Sequence, residues 1–145
     1  MKQLTLAILL TLGFQTVFAA PTPYARNCRI LGGQFWIIQF TTDDMPLCLF
    51  GEAVIEGGTL FAANPEFKTN IALTTYLATN LNNKTQSCET YCREHEGLIQ
   101  VGVDTEGMHF KMCVFKDNSA IGLETLGRGF QDPKNKNLNK ALGYF

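Results

Sequence analysis

The sequence predicts an α+β fold: two tandem helix-plus-β-hairpin repeats that share an antiparallel sheet, pack their helices on one face of it, and are stapled by disulfides. Three observations carry this expectation. The first is an internal repeat. Cys28-Arg29 returns as Cys92-Arg93, 64 positions on, and Gly33 returns as Gly97 at the same offset. Cys48-Leu49-Phe50 returns as Cys113-Val114-Phe115 at an offset of 65, and Ile55 and Thr59-Leu60 return as Ile121 and Thr125-Leu126 at 66. An offset that drifts by two is what short loop insertions produce, and a repeat is usually one supersecondary unit used twice. The second observation is that both copies show helix and strand signals in the same order. The third is that two cysteines recur in each copy.

The elements follow in order. Lys2, the apolar run from Leu4 to Phe18 and Val17-Phe18-Ala19 read as a secretory signal over residues 1–19, cut after Ala19. The apolar run is shorter than the ~20 residues a spanning helix needs, so no membrane span is expected after cleavage. The expected mature chain, 126 residues from Ala20, suits one compact domain. It has eleven basic and thirteen acidic residues, a net charge of −2, which gives no field to draw in nucleic acid. All five cysteines lie in this exported part, where pairing is the default and an odd one is left over.

The first repeat spans residues 20–61. Thr22 followed by Pro23 starts a helix that carries Cys28 to about Leu31, and Gly32-Gly33 stops it. Gln34 to Phe40 is rich in aromatic and β-branched residues and reads as a strand. Residues 41–46 form a polar turn, and Leu47 to Phe50 is the returning strand. Ala53-Val54-Ile55 and Thr59-Leu60-Phe61 are expected to add strand around Gly57-Gly58.

A connecting segment, 62–84, is expected to be helical. Asn64-Pro65-Glu66 resembles a helix start, and Asn82-Asn83 closes it. The second repeat, 85–129, begins with a helix from Thr85 or Gln86 that carries Cys88, Tyr91, Cys92 and His95 and ends at Gly97. Leu98 to Val103 and His109 to Phe115 form the hairpin around a turn at 104–107. Residues 130–145 read as a basic, polar and solvated tail.

Short motifs in the second repeat look familiar. Tyr91-Cys92 is followed by Gly97, then by Cys113-Val114-Phe115-Lys116-Asp117-Asn118, then by Arg128-Gly129. The pattern resembles a small exported bacterial domain of unknown function that often carries a haemolysin label. That domain has Tyr-Cys, Gly-Gly, Cys-x-Phe-Pro-Asp-Gly and Arg-Gly in this order. The chain departs from it at Ile121 and Gln131, near which the domain has two further cysteines, and at Glu124, near its Trp. The resemblance implies an exported envelope or secreted protein and no defined activity.

The repeat supports pairing Cys28 with Cys48 and Cys92 with Cys113, each bridge tying a helix to the second strand of its own hairpin. Each closes a loop worth about 3 kcal/mol by the loop-entropy estimate. A Cys88–Cys113 bridge is the open alternative. In the preferred pairing Cys88 is left unpaired, as a small hydrophobe, a reactive thiol or the link of a disulfide-bonded dimer.

Candidate chemistry is sparse. Cys88, Cys92 and His95 share a helix face and, with Cys113 or His109, make a zinc set by residue type. The first copy has Leu31 where His95 stands, which argues against it, and no metal or cofactor is expected. His95 and His109 are the only imidazoles, and no Gly-x-Ser-x-Gly element is present. The resulting expectation is a periplasmic or extracellular protein, not an enzyme, that binds a protein or envelope component. An alternative is an inhibitor of an extracellular enzyme acting through the loop Thr41, Thr42, Asp43, Asp44, Met45 and Pro46, braced by a nearby disulfide. An enzyme using His95 or His109 is third. A deep cleft holding a histidine favours the enzyme, and a flat apolar patch favours the plain binding module.

Overall fold

The computed structural model describes residues 21–63, 70–79 and 86–144. The expected signal segment and the motifs Asn64-Pro65-Glu66 and Asn82-Asn83 lie outside them.

Helix α1 spans Pro23–Ile30, with the Thr22 hydroxyl accepting from Ala25 N at 3.2 Å and Pro23 in the first turn. Gly32 follows at φ 86°, a left-handed step that glycine takes without a side-chain clash. Strands β1 (Gln34–Phe40) and β2 (Asp44–Phe50) form the expected hairpin. Strand β3 (Ala53–Glu56) extends it.

The second half has the same order of elements. Helix α4 spans Cys88–Glu94 and starts one turn later than expected, because Ser87 supplies the cap and accepts from Thr90 N. Strands β4 (Leu98–Val103), β5 (His109–Val114) and β6 (Ala120–Gly122) follow, and helix α5 (Leu123–Arg128) closes the half. Asp104 shapes the β4–β5 turn, its Oδ1 accepting from Glu106 N and Met108 N.

Two corrections concern the sheet. It is a closed ring in the order β1-β2-β3-β6-β5-β4, antiparallel throughout, not an open sheet with one covered face. On β1, Trp36, Ile38 and Phe40 turn into the ring, Phe35 packs on the opposite face, and Ile37 on that same face stays exposed. Each half also contributes three strands: β3 falls where Ala53-Val54-Ile55 was expected to add strand, while its counterpart β6 was not expected. The halves meet at two seams. Gln39 faces Val103 in one, and Ile55 faces Ile121 in the other.

Eight strands leave an interior just wide enough for side chains, so six leave none for helices. Trp36, Ile38, Phe40, Leu47, Phe110 and Met112 belong to the cluster that fills the ring. Gly102 makes room for it: a Cβ there would lie 2.6 Å from a ring carbon of Phe40. The opposite strand face carries Cys48, Ile55, Cys113 and Ile121 into a second core, shared with Leu60, Leu126 and the helices.

Two further expectations change, and the connecting segment is helical as expected where it is described. Thr59-Leu60-Phe61 is not strand but part of helix α2 (Gly57–Phe61). The reason is local: the Glu56 carboxylate accepts from Gly58 N, Thr59 N and the Thr59 hydroxyl, a cap that starts a helix. In the connecting segment, helix α3 (Ile71–Ala78) buries Leu73 and Tyr76. Its first turn is held by both halves, since Ile71 N donates to Asp117 and Ala72 N to Ser119, while the Asn70 amide donates to Thr59 O.

The tail is also ordered rather than solvated. A 3₁₀ turn (Pro133–Asn135) leads into helix α6 (Lys136–Ala141), with Leu138 fully buried. Three asparagine contacts anchor it: Asn135 Nδ2 donates to Thr125 O and Gly129 O, and the Tyr76 hydroxyl donates to Asn139. A composition count misses this because few apolar residues are needed when carbonyls left free at the end of α5 take up the polar ones.

Candidate functional site

The disulfides set the frame for the site. Cys28 bonds Cys48 and Cys92 bonds Cys113, with Cα separations of 5.7 and 5.9 Å. Both are fully buried, each beneath a glycine. A Cβ on Gly33 would lie 2.4 Å from Cys48 Sγ, and one on Gly97 would lie 2.3 Å from Cys113 Sγ. The repeated glycines are thus set by contact with sulfur as much as by the turn. With Cys92 and Cys113 oxidised, neither is a thiolate for the zinc set considered above.

Cys88 is the free thiol. It opens α4 and packs on α5 so closely that a Cβ on Gly127 would lie 2.2 Å from its sulfur. Burial pushes its pKa above the ordinary value, Glu124 and Glu89 add to the shift, and Arg128 opposes it.

Cys88 lines a cleft of about 550 Å³. The volume falls in the range of small-molecule sites, ~300–1,000 Å³. Its apolar surface comes from Leu49, Val54, Phe110 and Leu123, at the mouth of the ring. Its rim is charged with both signs. Lys111 pairs with Glu89 at 3.7 Å and Lys134 with Glu52 at 3.1 Å. His109 also lines it.

Arg128 is the buried cation of the cleft, its side chain only 16% exposed. Nη2 donates to Glu52 O at 2.9 Å. Its two carboxylate neighbours, Glu124 at 3.6 Å and Glu52 at 3.9 Å, stand beyond hydrogen-bond length. Nε is buried without a partner. The sequence alone marks Arg128 only as part of a short motif with Gly129. What it misses is the fold, which sets Glu52 and the ring mouth beside it.

A smaller cleft, about 300 Å³, lies in the first half between Tyr24, Glu56, Thr59 and Asp117. Here the Glu56 carboxylate fills its own cap, and the Tyr24 ring lies edge-on to Phe61 with centroids 5.8 Å apart.

The remaining expected residues are elsewhere. His95 turns back on its own helix, Nδ1 lying 2.9 Å from Tyr91 O and the ring 4.3 Å from that of Tyr91. It is not in the cleft with Cys88 and His109. The expected loop 41–46 is shorter than anticipated. Asp44, Met45 and Pro46 belong to β2, and Thr41, Thr42 and Asp43 form a tip closed by Phe40 N donating to Asp43 O. On the outer wall of β1 and β4, Ile37, Val101 and Val103 are exposed, Ile37 by 61%. Among the described residues no helix is long and apolar enough to cross a membrane. In comparisons with known proteins, the chain matches no family model, no curated protein and no solved structure.

Proposed function

We propose that this is an exported, non-enzymatic binding protein, periplasmic or extracellular, whose ligand enters the cleft between α4, α5 and the ring mouth. The carrying observation is that the cleft of the second half, about 550 Å³ and lined largely by apolar side chains, is wider than the one of about 300 Å³ at the matching place in the first half, where Glu56 and Tyr24 line it. Two buried disulfides support a chain matured in an oxidising compartment.

This reading treats the halves as copies of one unit related by a pseudo-dyad. Its support is the pairing at both seams of residues that match in sequence: Gln39 with Val103 and Ile55 with Ile121. On that relation Glu56 corresponds to Gly122, Tyr24 to Cys88 and Ala62 to Arg128. The second copy thus lacks the two side chains that narrow the first cleft and gains a largely buried cation. The haemolysin-labelled domain of similar motifs is then the kind of unit that was duplicated.

The inhibitor alternative is supported less, because only three exposed residues remain in its loop. The enzyme alternative has His109 in the cleft beside a thiol that burial holds protonated. The test is amide-resolved NMR of the mature protein with a panel of neutral, cationic and anionic amphiphiles, alongside N-terminal sequencing of the exported form. Saturable shifts at Val54, Phe110 and Leu123 and a chain starting at Ala20 are expected. Shifts confined to Thr41–Asp43, with inhibition of an extracellular protease, would transfer the function to the loop.

A further inference from the structure

Resting on the ligand cleft proposed above, we infer that its ligand is an organic anion with an apolar body, and that Arg128 is the group that receives the anion. The argument starts from donor satisfaction. A guanidinium carries five N–H donors, and a buried one is normally matched by acceptors. Arg128 has one hydrogen bond, to Glu52 O, and a partnerless Nε. Its carboxylate neighbours do not close the deficit. Glu52 is drawn to Lys134, 3.1 Å away, and Glu124 is mostly exposed. Glu89 is turned to Lys111. The cleft therefore holds a largely buried guanidinium whose two ion-pair partners, Glu52 and Glu124, stand beyond hydrogen-bond length, at the edge of an apolar floor.

The two halves sharpen the assignment. In the first half, a carboxylate of the chain itself, Glu56, sits in the cleft, and Ala62 stands where Arg128 does in the second. In the second half, the internal carboxylate is gone and the cation is present. An anion from outside would supply the hydrogen-bond acceptors that Glu52 and Glu124 stand too far away to provide. Leu49, Val54, Phe110 and Leu123 accept a hydrocarbon portion, which selects an amphipathic acid over an inorganic ion.

The readout is built in. Trp36, the single tryptophan, lies 6.2 Å from the Phe110 ring, and Phe110 lines the cleft. The mature protein is titrated with octanoate, octanol and octylamine while Trp36 emission and the amide signals of Val54 and Leu123 are followed. Octanoate is expected to bind more tightly than octanol by about tenfold, the worth of one charge-assisted hydrogen bond. Arg128→Leu is expected to erase that margin and Arg128→Lys to keep part of it. If octanol or octylamine binds as well as octanoate, the anion assignment falls and the ligand cleft stands. If none of the three gives a saturable response, both fall. A margin that survives in a folded Arg128→Leu protein places the anion elsewhere and overturns the assignment. Should Arg128→Leu not fold, the octanoate and octanol comparison on the unsubstituted protein still decides, because it needs no variant.

Discussion

Thr59 and Thr125 do the same work from opposite sides of one seam. The Thr125 hydroxyl accepts from Val54 N at 2.9 Å, and the Thr59 hydroxyl accepts from Ala120 N at 2.8 Å. Each threonine thus caps a strand of the other half. Replacing either by valine keeps the shape and removes the acceptor. A backbone N–H left without a partner costs about 1–3 kcal/mol. Urea denaturation should show that loss for both, and Thr→Ser should recover most of it. Thr59→Val should be the worse of the two, because Thr59 also donates to Glu56.

Gly33 and Gly97 sit against sulfur, and that makes them fragile. Gly97→Ala would put a methyl group into the Cys92–Cys113 bridge. Overpacking of this kind costs about 1–3 kcal/mol. Non-reducing peptide mapping should show that bridge incompletely formed and the Cys28–Cys48 bridge intact, and Gly33→Ala should reverse the pattern. Cys92→Ala should lose roughly 2–5 kcal/mol, the usual cost of a native bridge in a small secreted domain.

Glu96 has φ 61°, at the place where the first half has Gly32. A non-glycine residue in that region carries about 1–2 kcal/mol of steric cost. Its ion pair with Lys116, 4.0 Å and exposed, offsets little of it. Glu96→Gly should therefore stabilise the protein by about 1 kcal/mol. A lowered denaturation midpoint would show the conformation to be unstrained.

Asp117 ties α3 to the second half. Burial alone would raise its pKa, but hydrogen bonds from the Ser119 hydroxyl, Ile71 N and Ser119 N hold it below the ordinary carboxylate value. Its folded pKa is depressed, so the stability it contributes is present above the unfolded aspartate pKa, ~3.9, and is lost as pH falls through the lower folded value. Asp117→Asn should be less stable than the parent at neutral pH, and the gap should narrow on acidification below that range. A gap independent of pH would remove Asp117 from the acid response.

Leu138 tests the tail. It is the fully buried residue of α6. Leu138→Ala should cost about 2–5 kcal/mol, as in other close-packed interiors. A loss near zero by urea denaturation would return the tail to a passive role.

Much of this fold is legible in the chain. The Thr22-Pro23 start, the Gly32 stop, both hairpins and both disulfides follow from local chemistry and the repeat. Ring closure is harder to read. Phe35 and Ile37 beside Trp36 and Ile38 signal two buried faces, but such a run also suits a sandwich core. The α2 helix was hidden because Gly57-Gly58 suggests a turn, while the deciding contact is a cap from Glu56. The cleft was least visible. Glu52, Cys88, Phe110 and Arg128 are far apart in sequence and meet only when the ring closes.

A closed ring has no first and no last strand, and this bears on solubility. Open sheets offer unpaired backbone at both margins, where other chains can add. Here every strand has a neighbour on both sides, but across the β1–β4 joint only Gln39 and Phe40 meet Val103 and Gly102, so Gln34-Phe35-Trp36-Ile37-Ile38 and Leu98-Ile99-Gln100-Val101 are paired along one side alone. Closure is only as strong as its thinnest joints: two facing pairs between β1 and β4, and one between β3 and β6. Parting either joint would turn two strands into adhesive margins. The threonines that brace β3 and β6 therefore guard against aggregation as well as unfolding.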